Sequence, residues 1–185
     1  VRPLYYLDSS SRMVRARDTD YILALAIEDY RRALGVQADS TLDRLFPFIS
    51  GFDGTDLGAV DMIVKRIKEF PGVFLGIGEA MSRHDDLTNL TTGERPRADH
   101  PAFFRVFDFA GSVGMPVILH HNIAAISRND EPRAPEYLPE ILSAFAEFPI
   151  TTFIWSHAGI SRRIIVDNLR GILDSVLDEH GYHVY

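Results

Sequence analysis

The 185-residue sequence contains no cysteine. Disulfide bonds and thiolate metal sites are therefore excluded, and a metal ion would have to be held by His, Asp, Glu or carbonyl oxygen. No apolar run approaches the ~18 residues that a membrane-spanning helix requires. Val1-Arg2-Pro3 does not open a signal peptide. The sequence predicts a soluble protein without a membrane partner, and we favour a cytoplasmic location.

Positive charge is also scarce. The chain has 19 Lys and Arg against 26 Asp and Glu, a net charge of -7 and a pI near 5.4. A nucleic-acid binder needs a basic face to neutralise phosphates, so this class is disfavoured and a small-molecule substrate is the expected partner. Homo-oligomerisation stays open. The sequence also lacks G-x-S-x-G, P-loop and G-x-G-x-x-G motifs, which leaves nucleophile-elbow and nucleotide-binding functions without support.

The chain alternates apolar strand-like runs with amphipathic helical segments five or six times and shows no hairpin signal. This order is typical of an α/β protein with a parallel sheet and right-handed crossovers. We predict one domain over residues 1–185. An eight-stranded barrel needs ~250 residues, so a TIM-barrel-type (β/α)8 fold would have only about six of its eight units present in this chain. A flavodoxin-like open parallel sheet is the alternative and fits the length better, so the positions of the site residues must decide between the two folds.

Several helix boundaries follow from capping residues and periodicity. Asp18-Thr19-Asp20 predicts the start of a helix that ends at Gly35, and Asp99 and Ser161 predict the starts of two later helices. The first helix is predicted to bury Leu23, Ile27, Tyr30 and Leu34. The helix after Ser161 is predicted to bury Ile165, Leu169, Ile172 and Val176.

Three apolar runs end in side chains that can bind a metal: Phe74–Glu79 (FLGIGE), Pro116–Asn122 (PVILHHN) and Phe153–Gly159 (FIWSHAG). Each alone has an ordinary structural explanation, since Glu79 can pair with an arginine and a single histidine is often a hydrogen-bonded core residue. However, Glu79, His120 and His157 occupy the same place in successive units, about 40 residues apart, which is one strand–helix–strand unit. The carboxyl ends of parallel strands meet at one edge. The pattern therefore predicts a divalent metal site.

Residues close to these three are candidates for other roles. His84 and Asn122 lie in loops at the predicted rim, where they could contact substrate. His121 should point to the other face of its strand, so we expect it to pack against a helix or to support the site. It is a weaker candidate for contact with substrate. Long loops at 81–99 and 122–135 are expected to shape the pocket. Their arginines hint at an anionic substrate: Arg83, Arg95, Arg97, Arg128 and Arg133.

At these residues the sequence resembles the amidohydrolase superfamily of metal-dependent TIM-barrel hydrolases, and most of all its amidohydrolase-related branch. The resemblance runs from about Leu45 to Tyr185, and its most specific parts are GIGEA at 76–80, PVILHHN at 116–122 and WSHAG at 155–159. It implies that Glu79, His120 and His157 are the metal ligands of the fourth, fifth and sixth barrel strands. The implied metal is a divalent ion, zinc in the first place and manganese as an alternative.

The resemblance implies hydrolysis of a C–N or C–O bond in a small molecule by metal-activated water. No histidine pair is spaced as the family's first-strand His-x-His, and the strand-eight Asp expected as proton shuttle would lie beyond Tyr185, so no catalytic residue is assigned. We expect a chain that has lost segments at both ends. The alternatives are a metal-dependent non-oxidative decarboxylase of the same superfamily, or a non-catalytic fragment or binding module.

Overall fold

The computed structural model describes residues 5–7, 13–15, 17–35, 39–84, 94–161 and 163–185. Their strands and helices, in chain order, are β1 (Tyr5–Leu7), β2 (Met13–Arg15), α1 (Arg17–Leu34), α2 (Asp39–Leu42), β3 (Phe48–Ile49), α3 (Ala59–Glu69), β4 (Gly76–Met81), α4 (Pro101–Val113), β5 (Val117–His120), α5 (Leu138–Glu147), β6 (Phe153–Trp155) and α6 (Leu169–His180). None of the helices in these ranges has the length and apolar character needed to cross a membrane.

The main sheet is parallel, and its strands are ordered β3-β4-β5-β6, as they are in the chain. Beyond β6, Val184 forms a parallel bridge with Phe153, and the Trp155 N–H donates to the Tyr185 carbonyl at 2.8 Å. The predicted α/β class with a parallel sheet is confirmed. The expectation of no hairpin pairing was wrong, because β1 and β2 pair antiparallel in a small separate sheet.

The core lies between one face of the sheet and the helices, and aromatic side chains fill it. Phe107 on α4 and Phe145 on α5 both contact Phe153 on β6, with ring centroids 5.1 Å apart in each pair. All three phenylalanines are fully buried. Since each aromatic ring removes ~150–250 Å² from water, these contacts fix the two helices over β5 and β6 and so fix the strand ends that carry the site.

The opposite face of the sheet is more open. Leu119 and Phe153 are fully buried toward the helices, whereas Ile118 is half-buried and Ile154 is 37% exposed. Ile118 and Ile154 are direct neighbours in the β5–β6 register. Parallel sheets are normally covered on both faces, so the described residues leave an apolar sheet face only partly covered.

Helix α1 buries only part of the predicted face: Ile27 is buried and Tyr30 is half-buried, as expected, but the two leucines are not. Leu23 and Leu34 are each 40% exposed, whereas Asp20, Ala24 and Ile27 are buried. The reason is Asp20, which does not cap the helix but lies inside it and accepts a 2.7 Å hydrogen bond from the Gly51 N–H just beyond β3. This contact turns the Asp20 face toward the sheet. Burial raises the pKa of the Asp20 carboxyl, while the hydrogen bonds from Gly51 and Ser50 oppose the shift.

Two predicted helix starts were wrong. His100, and not Asp99, caps α4: its Nδ1 accepts from the Ala102 N–H at 3.1 Å. Helix α6 begins at Leu169 and not after Ser161. Ile165, which was predicted to be helical, instead donates its N–H to the Ser127 hydroxyl at 2.8 Å, and its carbonyl accepts from the Arg133 N–H at 2.7 Å. These long-range bonds replace the helical ones.

Candidate metal centre

The three predicted metal ligands come together at the carboxyl ends of neighbouring strands. Glu79 Oε1 lies 3.0 Å from His120 Nδ1 and 3.6 Å from His157 Nε2. One ligand atom from each side chain lies within 4.8 Å of the others. Zinc ligands at ~2.0–2.1 Å in tetrahedral geometry are roughly 3.4 Å apart, and the two distances from Glu79, 3.0 and 3.6 Å, are close to this spacing. The donor set and its spacing fit a divalent cation.

Glu79 reaches the cluster because β4 contains a bulge. Ile77 pairs with Val117 and Ala80 pairs with Leu119, so β4 has one extra residue between these pairs. Gly78 occupies the bulge with a φ of 124°, and a Cβ there would lie 2.2 Å from the Ile118 carbonyl oxygen. The sequence predicted that Glu79 ends its apolar run, but β4 covers Gly76–Met81 and Glu79 lies inside the strand. A bulge re-aims a side chain without ending the strand.

His120 ends β5 and is almost fully buried, at 3% exposure. Its Nδ1 faces Glu79, and its buried Nε2 has no hydrogen-bond partner. Burial lowers the pKa of His120, and the hydrogen bond to Glu79 opposes this shift. A buried polar atom without a partner is rare in a folded protein, and a neutral imidazole is the form that binds metal ions. The neutral form suits a ligand, and Nδ1 is the nitrogen that lies 3.0 Å from Glu79 Oε1.

His157 follows β6 in a short 3-10 turn over Ser156–Gly159. The backbone of His157 and Ala158 is left-handed, with φ of 58° and 52°, a conformation that is uncommon in residues other than glycine. Gly159 continues the turn at φ 74°, where a Cβ would collide with the Trp155 ring at 2.2 Å. Such backbone strain clusters at functional sites. The His157 side chain is 59% exposed, so the cluster is open to solvent on this side.

His84 lies beside the cluster, as its predicted position in the rim loop after β4 implies. Its ring centroid is 4.6 Å from that of His120, and the His157 ring is 5.1 Å from His120. His120 therefore contacts two other histidines. His84 is half-buried, and its contact with substrate stays a prediction.

The two other predicted substrate-binding residues lie deeper. Asn122 is 2% exposed and His121 is fully buried. His121 Nδ1 is 2.8 Å from the Ser82 hydroxyl, and its Nε2 is 2.9 Å from the Tyr137 carbonyl. Burial lowers the pKa of His121 to about 3, so its ring is neutral near pH 7. Nothing in the sequence pattern singled out Ser82 or Tyr137 as its partners.

Several of the rim arginines pair with neighbouring carboxylates. Arg83 makes two hydrogen bonds to Glu140, one of them 2.9 Å long from Nε, and its guanidinium lies 4.3 Å from the centre of the Tyr137 ring. Arg97 and Arg133 are in ion pairs with Asp99 and Glu136 respectively. Arg83 therefore joins the β4 loop to α5, which weakens the hint of an anionic substrate. Positions 85–93 of the predicted long loop lie outside the described residues.

No family model, curated protein or solved structure matches this chain. The site is therefore supported by its own residues and their geometry.

Proposed function

We propose that this chain belongs to a metal-dependent hydrolase that acts on a C–N or C–O bond of a small molecule. The observation that carries the proposal is the cluster of Glu79, His120 and His157 at the carboxyl ends of adjacent parallel strands. Enzymes built on parallel strands place their active sites at this end of the sheet. The amidohydrolase superfamily, which the sequence motifs resemble, is the family we propose.

A barrel of the (β/α)8 type is the architecture that best accounts for the sheet. Four successive strands follow the chain order without reversal, whereas a flavodoxin-like sheet reverses its strand order at a switch point. Right-handed crossovers that all run in one direction place the helices on one face. The other face, with Ile118 and Ile154, would then become the interior of a closed barrel, which explains its apolar residues.

Glu79, His120 and His157 are the residues that would hold the metal, with zinc as the first choice for a His and carboxylate site and manganese as the alternative. When bound, a divalent cation polarises a carbonyl group and lowers the pKa of water. Glu79 provides the negative charge that favours a cation between two imidazoles. The lowered pKa of His120 keeps this residue neutral and so reduces competition from protons.

His84 is the side chain that we place on the substrate side of the cluster. Its ring contacts His120 and the residue is partly exposed, so it is the rim side chain that we expect to contact a bound molecule. The open side at His157 provides the approach for that molecule. The rim loops, held by contacts such as that between Arg83 and Glu140, would set the shape of the pocket.

The proposal is tested by the metal content of the purified protein after incubation with zinc or manganese. We expect near-stoichiometric metal in wild type and its loss in Glu79→Gln, His120→Asn and His157→Asn. His183→Asn is the matched control, since His183 is a buried histidine outside the site whose Nδ1 lies 2.9 Å from the Thr151 carbonyl. Metal-free wild type, or equal loss in the control, would contradict the proposal.

Activity is then screened with amides, lactones and carboxylated compounds. Hydrolysis that disappears in the three ligand variants and persists in His183→Asn supports the proposed function. Release of carbon dioxide from a carboxylated compound would instead identify the decarboxylase alternative.

A further inference from the structure

His121 is a buried titratable side chain next to a proposed metal ligand, and the hydrolase mechanism gives it no role. It has no exposed surface, so it has no open face toward a substrate. Its two ring nitrogens are both occupied by groups of the protein, on one side from the end of β4 and on the other from the residue before α5.

The hydrogen positions follow from the partners. The Tyr137 carbonyl can only accept a hydrogen bond, so His121 Nε2, 2.9 Å away, carries the ring proton and donates it. His121 Nδ1 of the neutral ring is then an acceptor for the Ser82 hydroxyl at 2.8 Å. The hydroxyl oxygen also lies 2.9 Å from the His120 carbonyl, but its single proton goes to Nδ1, and the His120 carbonyl accepts from the Ser82 N–H at 2.9 Å.

A third strand joins this set through Trp155. The Trp155 indole Nε1 donates to the His121 carbonyl at 3.0 Å, and Trp155 is the last residue of β6. Each proposed ligand thus has a near neighbour in the set. Ser82 lies three residues after Glu79, His121 directly follows His120, and Trp155 lies two residues before His157.

We propose that Ser82, His121 and Trp155 form a positioning network that fixes the three ligand-bearing strand ends relative to one another and so sets the affinity for the metal. This inference rests on the proposed function. The network acts through hydrogen bonds among buried groups, and none of its members needs to contact the metal or the substrate. Groups that orient metal ligands in this way typically change metal affinity by about 10- to 100-fold when they are removed.

The test compares zinc affinity, measured by competition with a chromophoric chelator, in the full chain and two variants. Ser82→Ala removes the hydroxyl but keeps the N–H bond to the His120 carbonyl, and Trp155→Phe keeps an aromatic ring but removes the indole donor. We expect each variant to bind zinc about 10- to 100-fold more weakly than wild type, with an unchanged circular dichroism spectrum.

Thr151→Val is the matched control. Thr151 is fully buried, and its hydroxyl donates to the Phe107 carbonyl at 2.8 Å. It precedes β6 and therefore lies at the amino end of the strand, away from the three proposed ligands. Its loss should lower the melting temperature about as much as Ser82→Ala and leave zinc affinity unchanged. A structural role alone would not separate these two variants.

The outcomes distinguish the two proposals. Wild type that binds one zinc, with equal affinity in Ser82→Ala and Trp155→Phe, overturns the positioning network and leaves the proposed function standing. A loss of affinity in Thr151→Val as large as in the other variants also overturns the network. Wild type that binds neither zinc nor manganese contradicts both proposals.

Discussion

Gly78 determines where the carboxylate of Glu79 lies. Its φ of 124° belongs to a region that residues with a Cβ rarely adopt, and the Ile118 carbonyl leaves no room for a side chain. The extra residue in β4 is therefore tied to glycine at this position. The glycines of the GIGEA motif indicate this irregularity in the sequence, because a glycine inside a strand often marks a bulge or a close approach of backbone.

Substitution of Gly78 by Ala is expected to destabilise the protein by about 2–4 kcal/mol, since it adds both backbone strain and a steric clash. Chemical denaturation measures the change. The control is Gly72→Ala, because Gly72 also has a positive φ, 71°, but no atom lies within 4 Å of the position that a Cβ would take. This control should cost only about 1–2 kcal/mol. Equal losses in the two variants would show that the space around Gly78 does not matter.

The sequence indicated which residues form the site but not which hydrogen bonds those residues make. The same place in three successive units indicated that Glu79, His120 and His157 would meet, and they do. The partners of His121 could not be predicted, because Ser82 and Tyr137 reach it from separate parts of the chain. A local pattern records which face a residue occupies but not which distant group completes its hydrogen bonds.

At the scale of elements, the segment before α6 shows how tertiary contacts override local signals. Ser161 resembles a helix cap, and the following apolar residues have helical spacing. Ile165 is nevertheless bonded to Ser127 and Arg133 of the rim loop, so the helix starts only at Leu169. Similarly, the contact of Asp20 with Gly51 sets the buried face of α1. Periodicity predicted most of the elements, and long-range hydrogen bonds set several of their boundaries.

Ser127→Ala is expected to cost about 1 kcal/mol, because the Ile165 N–H would lose its acceptor in a partly buried position. Denaturant unfolding measures this loss, and faster hydrogen exchange of the Ile165 amide would locate it. Ser112→Ala is the control: its exposed hydroxyl bonds to the Phe109 carbonyl within α4, and its removal should change stability by less than about 0.5 kcal/mol. A Ser127 variant as stable as the Ser112 variant would mean that the rim loop is held by other contacts.

At the scale of the whole molecule, the open face of the sheet separates the two architectures that the sequence predicts. In a closed barrel Ile118 and Ile154 lie in a packed interior, whereas in a flavodoxin-like sheet this face would carry helices. The parallel order of the strands was predictable from the alternation of elements. Whether the sheet closes into a barrel could not be predicted, because closure depends on how the first and last strands of a barrel meet.

Ile154→Thr tests whether this face is covered in the folded protein. Threonine keeps the β-branched shape, so a loss of about 2 kcal/mol is expected if the side chain is buried in a barrel interior. Ile150→Thr, at a position that is 73% exposed, should change the free energy of unfolding by less than about 0.5 kcal/mol. Equal small losses in the two variants would show that the face is open to solvent.

The chain contains a single tryptophan, and Trp155 stands beside the turn that carries His157. Its ring packs under Gly159, and its indole nitrogen bonds to the residue next to His120. All tryptophan fluorescence of the protein therefore comes from one position beside the turn that carries His157. The emission of the unlabelled protein is thus a built-in optical reporter of events at Glu79, His120 and His157.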